Sequence, residues 1–203
     1  MVKLQIGVMG GAFRYISEAL EAAYTIGKEI AREDAALVTG GTTGVSYKAA
    51  QGAKEVGGLS IGISPAVDRN EHVEKFGKPT DAYDVLIFTG MGYSGRNPIN
   101  IRTCDGIIYI GGEAGTLNEF TNGLYEARVL GVLEGVGGIT DKIRTIMDGF
   151  KTAHGSTVIY DTDPKHLVQR VFSEIRVRDP RYLSHAIPIA TPNHRDWTGW
   201  KNE

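Results

Sequence analysis

Residues 107–120 read IIYIGGEAGTLNEF, and this stretch indicates the fold of the chain. An apolar run typical of a buried strand ends in Gly111 and Gly112, and a pattern typical of a helix follows from about Thr116. Two glycines at the end of a strand let the backbone turn sharply and approach a ligand closely. The stretch therefore predicts a strand, a tight turn that includes Gly115, and a helix.

The same pattern of strand, paired glycines and helix occurs earlier, in VTGGTTG (38–44), and GVMGGAF (7–13) forms a related first turn. A helix that follows such a turn presents unpaired N–H groups and the positive end of its dipole, which together attract phosphate. Tight turns alone would also require glycines, but the repeated pattern and the neighbouring hydroxyls favour a phosphate pocket. The candidate ligand-binding residues of these turns are Gly10, Gly11, Gly40, Gly41, Thr42, Thr43, Gly44, Gly111, Gly112, Gly115 and Thr116.

Several other kinds of site are not expected from the sequence. No lysine follows the glycines as a P-loop requires, and neither turn reads G-x-G-x-x-G, so the usual dinucleotide site is not indicated. The five histidines have no H-x-x-x-H spacing, and the single cysteine, Cys104, cannot form a cysteine cage. We therefore expect no metal site, and we expect Cys104 to be buried beside a strand rather than nucleophilic.

Short apolar runs alternate with helical patterns along most of the chain, which predicts an α/β fold. We expect a Rossmann-like, doubly wound, mainly parallel sheet with helices on both faces, and a ligand site beyond the carboxyl ends of its strands. Residues 1–176 are predicted to form one domain. The segment 177–203 has three prolines and several aromatic residues, and is predicted to be an irregular tail, either a strap over its own domain or, as we favour, an arm on another subunit.

The composition is that of an ordinary globular protein, with 203 residues, 41% hydrophobic and 23% charged. A formal net charge of −2 gives no reason to expect nucleic acid or a membrane surface as a partner. No apolar run approaches the roughly 18 residues of a membrane-spanning helix, and no signal peptide is evident. We expect a cytoplasmic protein.

The segment that precedes the second glycine turn, SGRNPINIRTCD (94–105), adds a basic group to the predicted pocket. Arg96 and Asn97 follow the end of a strand on the ligand side of the sheet, and Pro98 is expected in the first helical turn. Thr116 and Glu119 fit a capping box, in which each side chain bonds the other residue's backbone N–H. The alternative is that Glu119 stands beside a bound sugar phosphate, where it stabilises positive charge or orients water.

The string GRN…IR..D…IGGEAGTLNE resembles the Lonely Guy (LOG) family, often labelled "lysine decarboxylase-like", over roughly residues 4–175. It is most similar to the subgroup named after molybdenum cofactor carrier proteins, which has G-G-x-x-G-T-x-x-E after an Arg-Asn pair. The resemblance implies a Rossmann-like fold and a homodimer or homotetramer. No feature of the chain indicates a pyridoxal phosphate site.

The two groups imply different functions. For the carrier-like subgroup the resemblance implies binding of a phosphate-bearing pterin without a reaction. For LOG enzymes it implies hydrolysis of the N-glycosidic bond of a nucleoside 5′-monophosphate, with Arg96 and Glu119 as the catalytic pair and Arg102 as a second arginine. The turn differs from the LOG pattern because Ile110 replaces a proline and because it is one residue longer and contains Glu113. We therefore rank binding of a nucleotide or molybdopterin-like ligand above hydrolysis.

Overall fold

Strands alternate with helices along residues 2–13 and 16–178, the part of the chain that this computed structural model describes. The strands are β1 (Gln5–Gly10), β2 (Ala36–Thr39), β3 (Ser60–Ser64), β4 (Val85–Phe88), β5 (Gly106–Ile110), β6 (Val129–Leu133) and β7 (Thr157–Asp161). The α-helices are α1 (Ser17–Arg32), α2 (Val45–Glu55), α3 (Gly92–Thr103), α4 (Ala114–Tyr125), α5 (Ile143–Met147) and α6 (Pro164–Arg178). Most of the predicted tail therefore lies outside the described residues, and its first two residues continue α6.

All the strand pairs of the sheet are parallel, and the strand order is β4-β3-β2-β1-β5-β6-β7. The chain winds outward from β1 to β4, crosses back, and continues from β5 to β7 on the other side. The order therefore reverses between β1 and β5, where the connections that leave the two neighbouring strands run in opposite directions and leave a crevice. The doubly wound α/β fold predicted from the sequence is confirmed.

Alternate residues of the central strands face two different helical layers. In β5, Ile108 and Ile110 belong to the core that includes α1, α2 and α6. Ile107 and Tyr109 belong to the other core, which includes Phe120 of α4 and residues of α3. Burial on both faces explains why the strand reads as a continuous apolar run, since each fully buried aliphatic side chain contributes about 1.5–3 kcal/mol.

One local expectation about a helix was wrong. α3 begins at Gly92, so Pro98 lies inside the helix rather than in its first turn, and the helix tolerates the missing N–H of this proline. After β6, a 3₁₀ turn (Thr140–Lys142) leads directly into the short α5. In addition, the polar segment between β3 and β4 contains a π-helical turn at Glu71–Lys75.

Candidate functional site

A cavity of about 260 Å³ lies at the carboxyl ends of β1 and β5, where the strand order reverses. The turns after β1, β2 and β5 form three of its walls, and the first turns of α3 form the fourth. The predicted site residues that line it are Gly10, Gly11, Gly40, Thr42, Arg96, Asn97, Gly115, Thr116 and Glu119. The sheet thus brings together residues from four separate segments of the chain.

Five predicted ligand-binding residues do not line the cavity, namely Gly41, Thr43, Gly44, Gly111 and Gly112. The four glycines among them all have positive φ, so they shape the turns. Thr43 joins two of the walls, because its Oγ1 donates a hydrogen bond of 2.9 Å to the Ala12 carbonyl. These residues build the cavity rather than line it.

Several lining residues were missed by the sequence analysis, and these are Met9, Ala12, Phe13, Ser46, Tyr93, Ser94 and Glu113. Each is close in sequence to a predicted glycine or to Arg96, so proximity to a turn was the one available signal. Side-chain type alone did not distinguish them from core or surface residues. Glu113 is exposed at the edge of the cavity, so the acid inside the turn does lie on the ligand side.

The turns of β1 and β5 approach one another more closely than side chains would allow. A Cβ on Gly10 would lie 2.2 Å from the Ile110 carbonyl oxygen, so only glycine fits at this strand end. The Gly11 carbonyl in turn accepts a hydrogen bond from the Val45 N–H at 3.0 Å. This second contact fixes the start of α2 against the β1 turn.

Arg96 and Glu119 form a buried ion pair across the cavity wall, with Arg96 Nη1 3.3 Å from Glu119 Oε1. Asn100, one helical turn after Arg96, donates to the same oxygen at 3.2 Å. Asn97 completes the group in the amide orientation that places its nitrogen 3.2 Å from Glu119 Oε1, whereas in the other orientation this nitrogen donates to Asn118 Oδ1 at 2.8 Å. In the first orientation three donors converge on Oε1, and within residues 2–13 and 16–178 no hydrogen bond is made by Oε2.

The buried ion pair leaves two polar atoms unsatisfied. In the part of the chain that the structure describes, Arg96 Nε and Asn100 Oδ1 are buried and have no hydrogen-bond partner. Burial lowers the pKa of Arg96, and it raises the pKa of Glu119 although Arg96 and Asn100 oppose that shift. Burial thus disfavours the charged form of both side chains, and pKa values perturbed in this way cluster at functional sites.

Gly40 makes room for the Arg96 guanidinium. A Cβ built on Gly40 would lie 2.4 Å from Arg96 Nη1 and 2.7 Å from Nη2. The guanidinium therefore packs directly against the end of β2 and reaches Glu119 on the far wall. Gly40, in the turn after β2, thus leaves space for the Arg96 side chain, a role that nothing in the sequence indicated.

The capping box predicted for Thr116 and Glu119 is wrong. α4 begins at Ala114, so both residues lie inside the helix, and Glu119 reaches Arg96 instead of the helix start. Glu113 is the N-cap residue, and it makes no side-chain capping hydrogen bond. The first N–H groups of α4 are therefore left to other partners, and Gly115 and Thr116, which carry two of them, line the cavity.

A buried threonine supports the β5 turn from outside the cavity. Thr140 Oγ1 accepts a hydrogen bond of 3.0 Å from the Gly111 N–H and donates one of 3.1 Å to the Gly137 carbonyl. The Gly112 carbonyl accepts from the Ile139 N–H at 2.8 Å. The Gly111 N–H is thus already engaged within the protein.

Arg102 lies apart from this site. Its Nε is 2.8 Å from Glu126 Oε1 in an exposed ion pair. Asp105 accepts a hydrogen bond from the Gln5 N–H at 2.8 Å. Cys104 is buried, as predicted, and burial raises the pKa of its thiol.

Over residues 2–13 and 16–178, no three His, Cys, Asp or Glu side chains cluster closely enough to hold a metal ion. None of the helices there combines the length and the apolar character needed to cross a bilayer.

A family model described as LDcluster4, the SLOG cluster4 family, matches residues 3–168. The chain belongs to the SLOG cluster4 family. A protein of Archaeoglobus fulgidus is 36% identical over 128 residues, which cover 63% of this chain and 78% of that protein. The family match confirms the LOG-like relationship that the glycine turn and the Arg-Asn pair indicated.

Two similar solved structures are a molybdenum cofactor binding protein of Rippkaea orientalis and the molybdenum cofactor carrier protein of Chlamydomonas reinhardtii. The first is 31% identical with a TM-score of 0.72, and the match covers 86% of this chain and 99% of that one. The second is 31% identical with a TM-score of 0.68, over 84% and 97% of the two chains. This SLOG cluster4 protein thus shares its architecture with these two molybdenum cofactor proteins.

The fold of this SLOG protein also resembles DNA processing protein A of Helicobacter pylori. That match has a TM-score of 0.60 and 17% identity, and it covers 85% of this chain and 82% of that one. Identity this low shows a shared fold only. The absence of a nucleic-acid partner stays a prediction.

Proposed function

We propose that this protein binds a small phosphorylated ligand, a nucleotide or a molybdopterin-like molecule, and acts as a carrier rather than an enzyme. The observation that carries the proposal is the uncapped start of α4 at the cavity, beside the buried Arg96 with its unpartnered Nε. The 31% identity to two molybdenum cofactor binding proteins supports the same ligand class.

The start of α4 has the features of a phosphate site. The first N–H groups of a helix lack intrahelical partners and carry partial positive charge. Among residues 2–13 and 16–178, no atom outside Gly115, its chain neighbours and its own helix lies within 4 Å of the position where a Cβ on Gly115 would stand, so a phosphate can approach the backbone there. The hydroxyl-bearing Thr116 and, on the facing wall, Thr42 supply further donors. Phosphate is the ligand group that such a set of donors binds.

Direct titration tests the carrier proposal. We expect AMP, GMP or a pterin monophosphate to raise the free energy of unfolding, by about 2.7 kcal/mol at a ligand concentration of 100 times Kd. Arg96→Met should remove most of this stabilisation, because it removes the charged group at the cavity. Arg102→Met is the matched control on the same helix, since Arg102 is exposed and outside the cavity. Equal loss in both variants, or no stabilisation of the wild type, would contradict the proposal.

A second candidate function is hydrolysis of the N-glycosidic bond of a nucleoside 5′-monophosphate. Glu119 favours it, because Oε1 is held by three donors in one amide orientation of Asn97, while Oε2 makes no hydrogen bond among the described residues. An oriented carboxylate whose pKa is raised by burial is suited to stabilise positive charge at an anomeric carbon or to handle a proton.

Chromatography of free base after incubation with AMP separates the two functions. Base release that is abolished by Glu119→Gln would show that the protein is a hydrolase and would end the pure carrier proposal. Ligand-dependent stabilisation without any base release would rule out the hydrolase. Glu126→Gln, which removes a half-buried carboxylate outside the cavity, is the control for the loss of one acid.

A further inference from the structure

Two aromatic side chains stand in the lining of the cavity, and neither is explained by phosphate binding. Phe13 follows the β1 turn and is 74% exposed, and Tyr93 begins α3 and is 41% exposed. Single exposed apolar side chains are ordinary on a protein surface, whereas exposed apolar side chains that share one concave lining are typical of ligand-binding sites. Their position in a cavity lining points to a ligand rather than to a solvated surface.

Each ring is supported from behind by the segment between β3 and β4. Lys78 Nζ lies 4.4 Å from the centroid of the Phe13 ring, within the range of a cation–π contact. The Phe76 ring is 5.8 Å from the Tyr93 ring, centroid to centroid. The ammonium therefore contacts one face of Phe13, while the residue as a whole stays largely exposed.

The supporting segment is itself fixed by a buried histidine. His72 Nδ1 is 2.8 Å from Ser64 Oγ, and His72 Nε2 is 3.2 Å from the Pro79 carbonyl. The His72 carbonyl also accepts a hydrogen bond from the Lys78 N–H at 3.0 Å. The backbone that carries Phe76 and Lys78 is thus tied to the end of β3, and both rings have fixed supports.

The volume of the cavity agrees with a ligand that extends beyond it. At about 260 Å³ the cavity is smaller than the ~300–1,000 Å³ typical of sites that enclose a whole drug-sized ligand. Such a volume suits a phosphate and its sugar or linker. A further group of the ligand would then lie at the mouth, where the exposed aromatic side chains are.

We infer that Phe13 and Tyr93 form a stacking site for a planar nitrogen heterocycle, joined to the phosphate that the proposed function places at α4. The inference deepens that proposed function and rests on it. Aromatic side chains stack on purines and pterins alike, because both have an extended π-face. The shared chemistry is therefore a phosphate linked to a planar heterocycle, and Phe13 and Tyr93 are the residues that select the ring.

Calorimetric titration with and without the ring tests the inference. The probes are ribose 5-phosphate, AMP, GMP and 6-hydroxymethylpterin monophosphate. We expect at least one ring-bearing probe to bind about tenfold or more tightly than ribose 5-phosphate, in line with the usual effect of stacking. Phe13→Leu and Tyr93→Leu should each remove much of that advantage and leave the affinity for ribose 5-phosphate unchanged, whereas Phe13→Trp should keep it.

Phe150→Leu is the matched control, because Phe150 is exposed and does not line the cavity. If ribose 5-phosphate binds the wild type and the three ring-bearing probes bind with the same affinity, the stacking site is overturned and phosphate binding is left intact. Failure of every probe to bind would overturn both. Preference for the purine probes or for the pterin probe identifies which heterocycle the rings select, and either preference supports the site.

Discussion

At the scale of single residues, the Arg96 guanidinium occupies the space that a side chain on Gly40 would need. A methyl group on Gly40 would lie 2.4 Å from Arg96 Nη1, so Gly40→Ala must displace the guanidinium. We expect the fold to persist, because the end of a long side chain can move aside. We expect the affinity for a phosphorylated ligand to fall about tenfold or more, as for loss of one charged hydrogen bond of about 1.5–3 kcal/mol.

Calorimetry on Gly40→Ala and on Gly149→Ala measures this effect. Gly149 is a suitable control because a methyl group there would have its nearest contact at 3.4 Å and would not face the cavity. Unchanged affinity in Gly40→Ala would show that the guanidinium is not part of the ligand site.

We expect the contribution of Glu119 to the free energy of unfolding to decrease as the pH rises. Burial raises its pKa in the folded protein above the ordinary glutamate value of about 4.3. The folded state then binds the proton more tightly than the unfolded chain, so the contribution of protonated Glu119 is fully present below about pH 4.3 and is lost as the pH rises through the folded pKa. We expect the wild type to lose stability relative to Glu119→Gln as the pH rises above about 4.3.

Urea unfolding at a series of pH values tests this sign. The difference between the unfolding free energies of the wild type and Glu119→Gln is the quantity to plot. The same difference for Glu126→Gln, which alters an exposed ion pair of little energy, supplies the reference slope. If the free energy of unfolding of the wild type instead increases relative to that of Glu119→Gln as the pH rises, the raised pKa of Glu119 would be contradicted.

At the scale of elements, the loop before α5 holds the β5 turn in place. Thr140→Val keeps the shape of the side chain but removes the hydroxyl that the Gly111 N–H donates to. We expect a loss of about 1–3 kcal/mol in the free energy of unfolding, because a buried N–H is left without a partner. Thr121→Val, which removes a hydroxyl from the accessible side of α4, should cost far less. Chemical denaturation of both variants gives the comparison, and equal costs would refute the supporting role of Thr140.

The elements themselves were largely predictable, and the pairing of side chains between them was not. The apolar runs and paired glycines predicted β5, its turn and α4, because strands, turns and helices depend mainly on residues that are close together in sequence. The capping box failed because α4 starts earlier than the threonine and because Glu119 is held by Arg96, 23 residues away in sequence. Likewise, nothing local to Gly40 shows that a guanidinium from α3 lies against it.

The positions of the two exposed aromatic rings at the mouth of the cavity were also not predictable from the sequence. Phe13 and Tyr93 follow patterns that suit core residues equally well, and the fold decides that they face the cavity. Their supports, Lys78 and Phe76, come from the polar segment between β3 and β4. Contacts of this kind depend on the arrangement of whole elements.

At the scale of the whole molecule, the homodimer or homotetramer and the arm at 177–203 stay predictions. From residue 179 onward the tail lies outside the described residues. If the tail is an intersubunit arm, truncation after Arg178 should lower the mass measured by light scattering while the thermal transition persists. An unchanged mass would favour the alternative of a strap over its own subunit.

The assembly of the cavity from distant segments has a consequence for how the ligand acts during folding. The lining residues run from Met9 to Glu119, and β1 meets β5 through residues such as Gln5 and Asp105 that are 100 positions apart. Contacts this remote in sequence close late and slowly, so a partly folded chain offers no complete site. A saturating phosphorylated ligand should therefore leave the refolding rate in stopped-flow experiments nearly unchanged and slow unfolding instead. The bound molecule would then set the lifetime of the native state rather than the speed at which that state is reached.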